Sequence, residues 1–224
     1  MILAAHQLQY MPGLRFFAKM RTAGLFVYMD DVQYEKREFQ NRNKIRTAAG
    51  WQYLTVPVMV KGRFSQNIKD VEINSTCAWL KEHFMAIKTN YARAEYFKEY
   101  LPELERLYSG KYSLLGELAL ATIGFLRDGF GIKTPVRLSS EFKLASASSQ
   151  RLVDLSKAAG ADEYHSGAGA RDYLDEKLFA ESKIRLSWQN FKVKPYPQAF
   201  PGFEPDLSAL DLLLNCGPES ANYL

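Results

Sequence analysis

The sequence predicts an α/β fold built on a mostly parallel sheet with helices on both faces. Strand-like apolar runs alternate with helical spacing of apolar residues near both ends of the 224-residue chain. Between them, residues at about 76–130 show helical spacing alone. Because alternating strands and helices form parallel sheets, and 47% hydrophobic residues suffice for a packed core, we expect one α/β domain over residues 1–224 with a helical cap at about 76–130.

The first third of the chain predicts three strands and a helix. Met1–Ala5 and Leu25–Met29 are short apolar runs, and the helical spacing that separates them starts near Pro12. Trp51–Val60 is rich in β-forming residues, and Pro57 within it is typical of an edge strand or a bulge.

The helical block predicts three helices, because apolar residues recur every three to four positions. Two of them run from Trp79 to Tyr91 and from Phe97 to Leu107, and the third is expected to be capped by Ser113 and to end near Gly129–Gly131.

The last third returns to alternation, which makes the predicted sheet Rossmann-like. The expected elements are a strand at Val136–Phe142, a helix at Ser149–Ala159, a strand at Ala161–His165, a helix at Glu176–Ser182 and a strand at Ile184–Trp188. The Pro-rich residues 194–206 predict an ordered surface arm, followed by a helix that Ser208 caps and Gly217–Pro218 ends.

Composition excludes several classes of protein. No apolar run approaches the ~20 residues that span a bilayer, and the opening residues lack the basic start of a signal peptide. Cys77 and Cys216 stand far apart, which disfavours a disulfide scaffold and a structural zinc site. We therefore expect a cytoplasmic protein without membrane insertion.

The charge is uneven along the chain. Residues 1–69 hold eleven Lys and Arg against four acidic residues, a net +7, whereas the remaining residues hold eighteen basic and 21 acidic residues, a net −3. A basic first third on a mildly acidic body favours a small phosphorylated or carboxylated ligand over a long nucleic acid.

Ligands of parallel sheets lie beyond the carboxyl ends of the strands, so the loops after Ala5, Met29, Phe142 and Tyr164 are expected to share one crevice. The first of these loops places polar groups before a helix N-terminus, a favourable position for an anion: His6, Gln7, Gln9 and Tyr10. His6 can contact an anionic oxygen or take a proton, and equally it can satisfy a buried carbonyl.

Residues 30–51 form the densest polar stretch. Asp30 and Asp31 end a strand, and basic and amide side chains follow: Gln33, Lys36, Arg37, Gln40, Asn41, Arg42, Asn43, Lys44 and Arg46. Guanidinium groups bind phosphate in bidentate geometry and amides bind hydroxyls, which favours a binding loop over a solvated run of charges.

Two further strand ends carry candidate binding residues. Small residues after a strand allow close approach of an anion, although a plain tight turn explains them as well: Tyr164, Ser166, Gly167 and Gly169. Ser139, Ser140 and Glu141 can add hydroxyl and carboxylate groups. The P-loop, GxSxG and zinc-ligand spacings are absent from the sequence, and no metal site is assigned.

Several stretches together resemble the WbqC-like protein family, whose genes occur in clusters for bacterial O-antigen and other surface polysaccharides: MILAAHQLQYMPGLRFFAKM, DDVQYEKREFQNRNKI, GWQYLTVPV, YHSGAGARDYL and LSALDLLLNCGPES. This resemblance implies a role in glycine transfer to sugars. The start of the chain is also similar to nucleotidylyl-transferase-type ligases of the pantothenate synthetase kind, with Gln9 where their second histidine of an HxGH loop would stand.

These features and the resemblance together predict an acyl transferase, of a glycyl or another aminoacyl group, that acts on an amino or hydroxyl group of a sugar or sugar-nucleotide precursor. Arg42, Lys44 and Arg46 are expected to clamp phosphates, Asn41 and Asn43 to bind hydroxyls, and His6 or Asp31 to act as general base, with His6 and Arg42 in one cavity. The donor is an activated acyl compound, an aminoacyl-tRNA among the candidates. The alternatives are an ATP- and Mg²⁺-dependent adenylate-forming ligase or nucleotidyltransferase, and a non-catalytic domain that binds a sugar nucleotide or RNA.

Overall fold

The computed structural model describes residues 1–224 and contains seven strands and seven α-helices. The strands are β1 (Ile2–Gln7), β2 (Leu25–Met29), β3 (Arg42–Thr47), β4 (Gly50–Thr55), β5 (Val136–Leu138), β6 (Glu163–Ser166) and β7 (Arg185–Trp188). The helices are α1 (Leu14–Thr22), α2 (Trp79–Tyr91), α3 (Phe97–Tyr108), α4 (Leu115–Gly129), α5 (Ser148–Ala158), α6 (Glu176–Glu181) and α7 (Ala209–Cys216).

The chain divides into two compact units, each made of separate segments. The sheet unit comprises residues 1–7, 15–31 and 133–192. The helical unit comprises residues 8–14, 32–132 and 193–224. No helix combines the length and the hydrophobicity that a membrane-spanning segment needs.

The sheet unit holds five parallel strands in the order β5-β2-β1-β6-β7, which confirms the predicted α/β class. If the five strands of this sheet are numbered in chain order, the sheet order is 3-2-1-4-5. This is the strand order of a doubly wound nucleotide-binding fold. The chain runs outward from β1 to β2 and β5 and then crosses to β6 on the other side of β1. The point where the direction reverses therefore lies between β1 and β6.

The two faces of this sheet follow from the alternation of side chains along each strand. His6 of β1 and Tyr28 and Phe26 of β2 face α1, where Phe16 contacts all three rings. On the opposite face, the strands, α5 and α6 share one core that includes Leu3, Val27, Val153, Tyr164 and Phe179. Helices on both faces complete the predicted three-layer arrangement.

The helical unit contains the antiparallel β3–β4 hairpin and helices α2, α3, α4 and α7. All eight residues of α7 are buried, so this short helix lies at the centre of the unit. The hydroxyl of Ser208 accepts a hydrogen bond from the Leu210 N–H at 3.2 Å, which confirms the predicted cap. Gly217 ends α7 with a φ of 48°, a conformation that favours glycine.

Four local predictions differ from the structure. Residues 42–47, expected in a loop, form β3 because Asn43 and Ile45 point inward while Arg42 and Lys44 alternate with them. The strand expected at Trp51–Val60 ends at Thr55, and the one at Val136–Phe142 turns into a 3-10 helix at Ser139.

The fourth difference concerns the start of α4. Its first turn is held by Glu117, whose carboxylate accepts from the N–H groups of Ser113 and Leu114 at 3.2 Å each. The Ser113 hydroxyl does not supply this cap.

Candidate functional site

The carboxyl ends of the parallel strands bring polar side chains to one edge of the sheet unit. Ser139 and Ser140 follow β5, Asp30 and Asp31 follow β2, His6 lies near the end of β1, and Gly167 follows β6. Each strand except β7 thus contributes a predicted site residue, and neighbouring strands lie about 4.8 Å apart. We call this set, with the side chains that contact it, the carboxyl edge.

Asp30 and Asp31 are held in fixed positions by groups from β5 and α5. The Asp30 carboxylate accepts from the Ser140 N–H at 2.9 Å and the Ser140 hydroxyl at 2.7 Å, and it lies 3.1 Å from the Ser139 hydroxyl oxygen. Asp31 accepts from Arg151 at 2.7 Å and also contacts the Ser139 hydroxyl. Arg151 was not a predicted site residue, because only the fold places α5 beside Asp31.

The Asp31 carboxylate stays ionised in this environment. Burial disfavours its charge, but the hydrogen bonds from Ser139 and Arg151, and the positive charge of Arg151, outweigh that effect and lower the pKa of Asp31. A carboxylate of low pKa is a weak proton acceptor and a good partner for a cation or a hydroxyl. Within residues 1–224, no group of three or more His, Cys, Asp and Glu side chains is placed to hold a metal ion.

His6 is a neutral imidazole with one ring nitrogen available. Its Nδ1 lies 3.1 Å from the Gln7 carbonyl oxygen, which can only accept, so Nδ1 carries the proton and Nε2 has a free lone pair. Burial and the nearby charge of Lys19 lower the pKa of His6 to about 3. The edge of the Phe16 ring, 5.1 Å away between centroids, fixes the plane of the imidazole.

A second histidine at this edge, His165 of β6, was not among the predicted site residues. Its Nδ1 lies 2.9 Å from the Ser187 hydroxyl, which in turn donates to Glu163 at 2.6 Å. Because Ser187 uses its one proton for Glu163, its oxygen accepts from His165 Nδ1–H, and Nε2 again keeps a free lone pair. Burial first, and then the charge of Lys19, lower the pKa of His165.

Lys19 of α1 is the other group that the sequence reasoning missed. It is 5% exposed, and its ammonium donates to the Ala5 carbonyl oxygen at 2.8 Å. A lysine in a helix is normally exposed, so the sequence predicts that Lys19 lies on the surface. Only the packing of α1 on the sheet shows that its side chain points inward.

The remaining candidates of the sheet unit differ in accessibility. Tyr164 is buried against Phe179, and Ser166 is buried beside the Gly167 carbonyl. Gly169 lies in an exposed 3-10 turn that starts after Gly167. Glu141 accepts from the Leu138 N–H at 3.0 Å and from Arg137 at 2.7 Å, so its carboxylate stabilises the end of β5. Gln7 is partly buried at the end of β1.

In the helical unit, one face of the β3–β4 hairpin combines cations with aromatic rings. The Arg42 guanidinium lies 4.5 Å from the centre of the Tyr53 ring, and the Lys44 ammonium lies 4.1 Å from that of Trp51. Trp51 and Tyr53 are 42% and 37% exposed. This hairpin face can bind an anion through its cations and a flat ring through its aromatic side chains.

The other predicted residues near the hairpin are engaged in internal contacts. Arg46 is buried and donates to the carbonyl groups of Thr47, Gly50 and Pro201 at 2.7–2.8 Å. The buried amides of Asn41 and Asn43 donate to the Val56 and Met11 carbonyl groups at 2.8 and 2.6 Å. These contacts determine the course of the backbone.

The last predicted residues of the helical unit vary in exposure. Gln40 is buried and accepts from the Glu35 N–H at 2.8 Å, and Arg37 accepts from Arg42 through its carbonyl group. Gln33 and Lys36 are exposed and contact Phe64, whereas Gln9 is partly buried. The hydroxyl of the buried Tyr10 contacts His83 at 2.9 Å and Tyr108 at 2.6 Å.

Comparison with known proteins places this architecture in a family. The sequence profile of the WbqC-like protein family matches residues 7–223. The chain belongs to the WbqC-like protein family. It is also 39% identical over 220 residues to a Mycobacterium tuberculosis protein called Uncharacterized protein Rv1507c, and the alignment covers 97% of this chain and 95% of that protein. No solved structure matches this WbqC-like chain.

Proposed function

We propose that this WbqC-like chain transfers an acyl group, glycyl in the first instance, to an amino or hydroxyl group of a sugar or sugar-nucleotide precursor. The observation that supports this most is the placement of a neutral imidazole and a fixed carboxylate at the ends of the adjacent strands β1 and β2. These are the two groups needed to orient a polar nucleophile and to remove its proton.

His6 is the general base in this proposal, because its Nε2 lone pair has no partner, whereas Asp31 is committed to Arg151. Burial and the charge of Lys19 lower the pKa of His6 to about 3, so an anion that neutralises Lys19 makes His6 a stronger base. Asp31 and Asp30 then position the acceptor by accepting hydrogen bonds from its amino or hydroxyl groups. Ser139, Ser140 and Arg151 keep both carboxylates in place.

The reaction step balances without an external oxidant or reductant. The acceptor nitrogen or oxygen attacks the carbonyl carbon of an activated acyl ester and forms the new bond while the bond to the leaving oxygen breaks. His6 Nε2 takes the proton of the nucleophile and returns it to the leaving oxygen. Proton transfer of this kind contributes roughly 10²–10⁴ in rate.

The test supplies radiolabelled glycine as glycyl-tRNA, together with a UDP-linked amino sugar, and follows the label by chromatography and mass spectrometry. The expected result is a labelled sugar nucleotide with wild type, roughly 10²–10⁴ less product per unit time with His6→Ala, and unchanged product with Lys157→Ala, an exposed control in α5. A wild-type rate in His6→Ala would contradict the proposed site.

A second enzymatic function, carboxylate adenylation with ATP and Mg²⁺, is favoured by the strand order, which is that of a nucleotide-binding sheet. It predicts glycine-dependent exchange of radiolabelled pyrophosphate into ATP without any tRNA. Transfer from glycyl-tRNA without such exchange would exclude it.

A third function of another class, non-catalytic binding of RNA or a sugar nucleotide, is favoured by the hairpin face. It predicts affinity without any product. If RNA is the ligand, the affinity falls steeply with salt, because each neutralised phosphate releases counterions.

A further inference from the structure

Lys19 is a buried cation without a counter-charge. Its ammonium can donate three hydrogen bonds, and its one acceptor in the protein is the uncharged Ala5 carbonyl group at 2.8 Å. No carboxylate compensates the charge, so burial alone lowers the pKa of Lys19 to about 7. An unpaired buried charge is costly, and proteins retain one mainly where a ligand supplies the opposite charge.

The ionisable groups around Lys19 are bases. His6 of β1 and His165 of β6 both have their pKa lowered by its charge. Glu163, whose negative charge partly offsets the lowering of the His165 pKa, already accepts hydrogen bonds from Ser187 and Arg185. Lys19 is therefore the one cation beside two neutral imidazoles, and no free acid faces it.

No side chain separates the backbone at Gly167 from the ammonium. A Cβ atom added to Gly167 would have one neighbour within 4 Å, the Lys19 Nζ at 4.0 Å, and one added to Gly169 would have none. Neither glycine has a positive φ, so the backbone conformation does not require glycine at these positions. The absence of a side chain at Gly167 leaves the approach to Lys19 open.

We propose that Lys19, at the ends of β1 and β6, binds a phosphate group of the substrate. The position is the one where the strand order reverses, which is where doubly wound sheets bind phosphorylated ligands. A phosphate supplies the missing negative charge and oxygen acceptors for the two unused N–H groups of Lys19. This assignment rests on the proposed function in one respect: the bound phosphate is taken to belong to the substrate of the transferase.

The test is calorimetric titration of the whole chain with pyrophosphate, UDP, glucose 1-phosphate and acetate. Lys19→Met is expected to weaken phosphate binding by about 10- to 100-fold, the range for a hydrogen bond to a charged group, while Lys19→Arg keeps most of it. Lys157→Met, which removes an exposed lysine of the same unit, is the matched control and is expected to bind like wild type. Stronger binding of UDP identifies a nucleotide phosphate, and stronger binding of glucose 1-phosphate identifies a sugar phosphate.

Three results would overturn the assignment: folded Lys19→Met that binds as wild type, wild type that binds none of the phosphate compounds, or acetate that binds as tightly as they do. If Lys19→Met does not fold, the Lys19 Cε resonance of ¹³C-lysine-labelled wild type replaces it as the readout. That resonance is expected to move on addition of pyrophosphate, and no movement would refute the proposal. Because none of these measurements needs turnover, a negative glycine-transfer assay with intact phosphate binding would contradict the proposed function alone.

Discussion

The Lys19 ammonium lies 2.8 Å from the carbonyl oxygen of Ala5 and so connects helix α1 to the central strand of the parallel sheet. This contact orients the cation, but it does not neutralise it. His6 and His165 remain neutral beside Lys19, since burial and its charge lower the pKa of each. The carboxyl edge thus combines one titratable cation with two free imidazole nitrogens.

The burial of Lys19 predicts a pH-dependent stability. Below a pH of about 7 the lysine is protonated in both states, and the buried charge destabilises the folded state fully. Between about 7 and the ordinary value of 10.5 the unfolded chain binds a proton that the folded protein has released, so stability rises with pH. Relative to Lys19→Met, the free energy of unfolding of wild type is expected to rise by up to about 1.4 kcal/mol per pH unit there.

Urea unfolding from pH 6 to pH 10 measures this difference. Lys19→Met also leaves the Ala5 carbonyl group without its donor, which lowers stability equally at every pH. We therefore compare the slopes of unfolding free energy against pH, which this constant loss does not change. Parallel pH profiles for wild type and Lys19→Met would show that the ammonium is not held in a low-dielectric site.

Asp31 predicts that stability also rises with pH in the acidic range, but for the opposite reason, since its charged form stabilises the folded state. Because its pKa is lowered in the folded protein, Asp31 contributes stability above its ordinary value of 3.8, and this contribution is lost as the pH falls through the lower folded value. Asp31→Asn is expected to lower the free energy of unfolding by roughly 1–3 kcal/mol at pH 7, since Arg151 and Ser139 lose a charged partner.

The measurement is urea unfolding at pH 7 and at pH 2–3, with Glu181→Gln, an exposed carboxylate of α6, as control. The control is expected to change stability by less than about 0.5 kcal/mol. An Asp31→Asn protein as stable as wild type at pH 7 would refute the assigned network.

The cap of α7 gives a prediction for the helical unit. Ser208 is buried and its hydroxyl holds the Leu210 N–H, so Ser208→Ala leaves a buried donor unpaired. We expect a loss of about 1 kcal/mol, within the 0.5–2 kcal/mol range of N-cap substitutions, and Ser208→Asp should restore most of it. Equal thermal midpoints for wild type and Ser208→Ala would show that the cap is energetically unimportant.

The sheet could be predicted from the sequence because its strands and helices are local patterns. Leu25–Met29 is both an apolar run and a buried strand, and α5 and α7 begin and end within two residues of their expected bounds. Because strands and helices alternate, the sheet is predicted to be parallel. In a parallel sheet the carboxyl ends of all strands lie at the same edge.

The site was only partly predictable, because burial decides which polar side chains are free. Arg46 carries the same guanidinium group as Arg42, yet carbonyl groups within the helical unit accept from its two terminal nitrogens. The Asn43 amide likewise donates to an internal carbonyl group. Lys19 shows the reverse, since nothing in the sequence separates it from a surface lysine. The expectation that His6 and Arg42 face one cavity remains a prediction, with His6 in the sheet unit and Arg42 in the helical unit.

The hairpin face predicts a separable binding defect. Trp51 is 42% exposed, so Trp51→Ala is expected to change the free energy of unfolding by about 1 kcal/mol or less. If a base or sugar ring stacks on it, the same substitution weakens binding by roughly 1–3 kcal/mol. Titration of a CCA-ended RNA oligonucleotide and of UDP, with Trp188→Phe as a control in the other unit, measures the effect. Unchanged affinity for both ligands would exclude stacking on Trp51.

The most direct test of the carboxyl edge as the ligand site is a crystal structure of wild type grown with a UDP-linked amino sugar. We predict a phosphate oxygen within hydrogen-bond distance of Lys19 Nζ, and the amino group of the sugar near Asp31 and His6 Nε2. A ligand bound only elsewhere, with Lys19 still bonded to Ala5 alone, would contradict it.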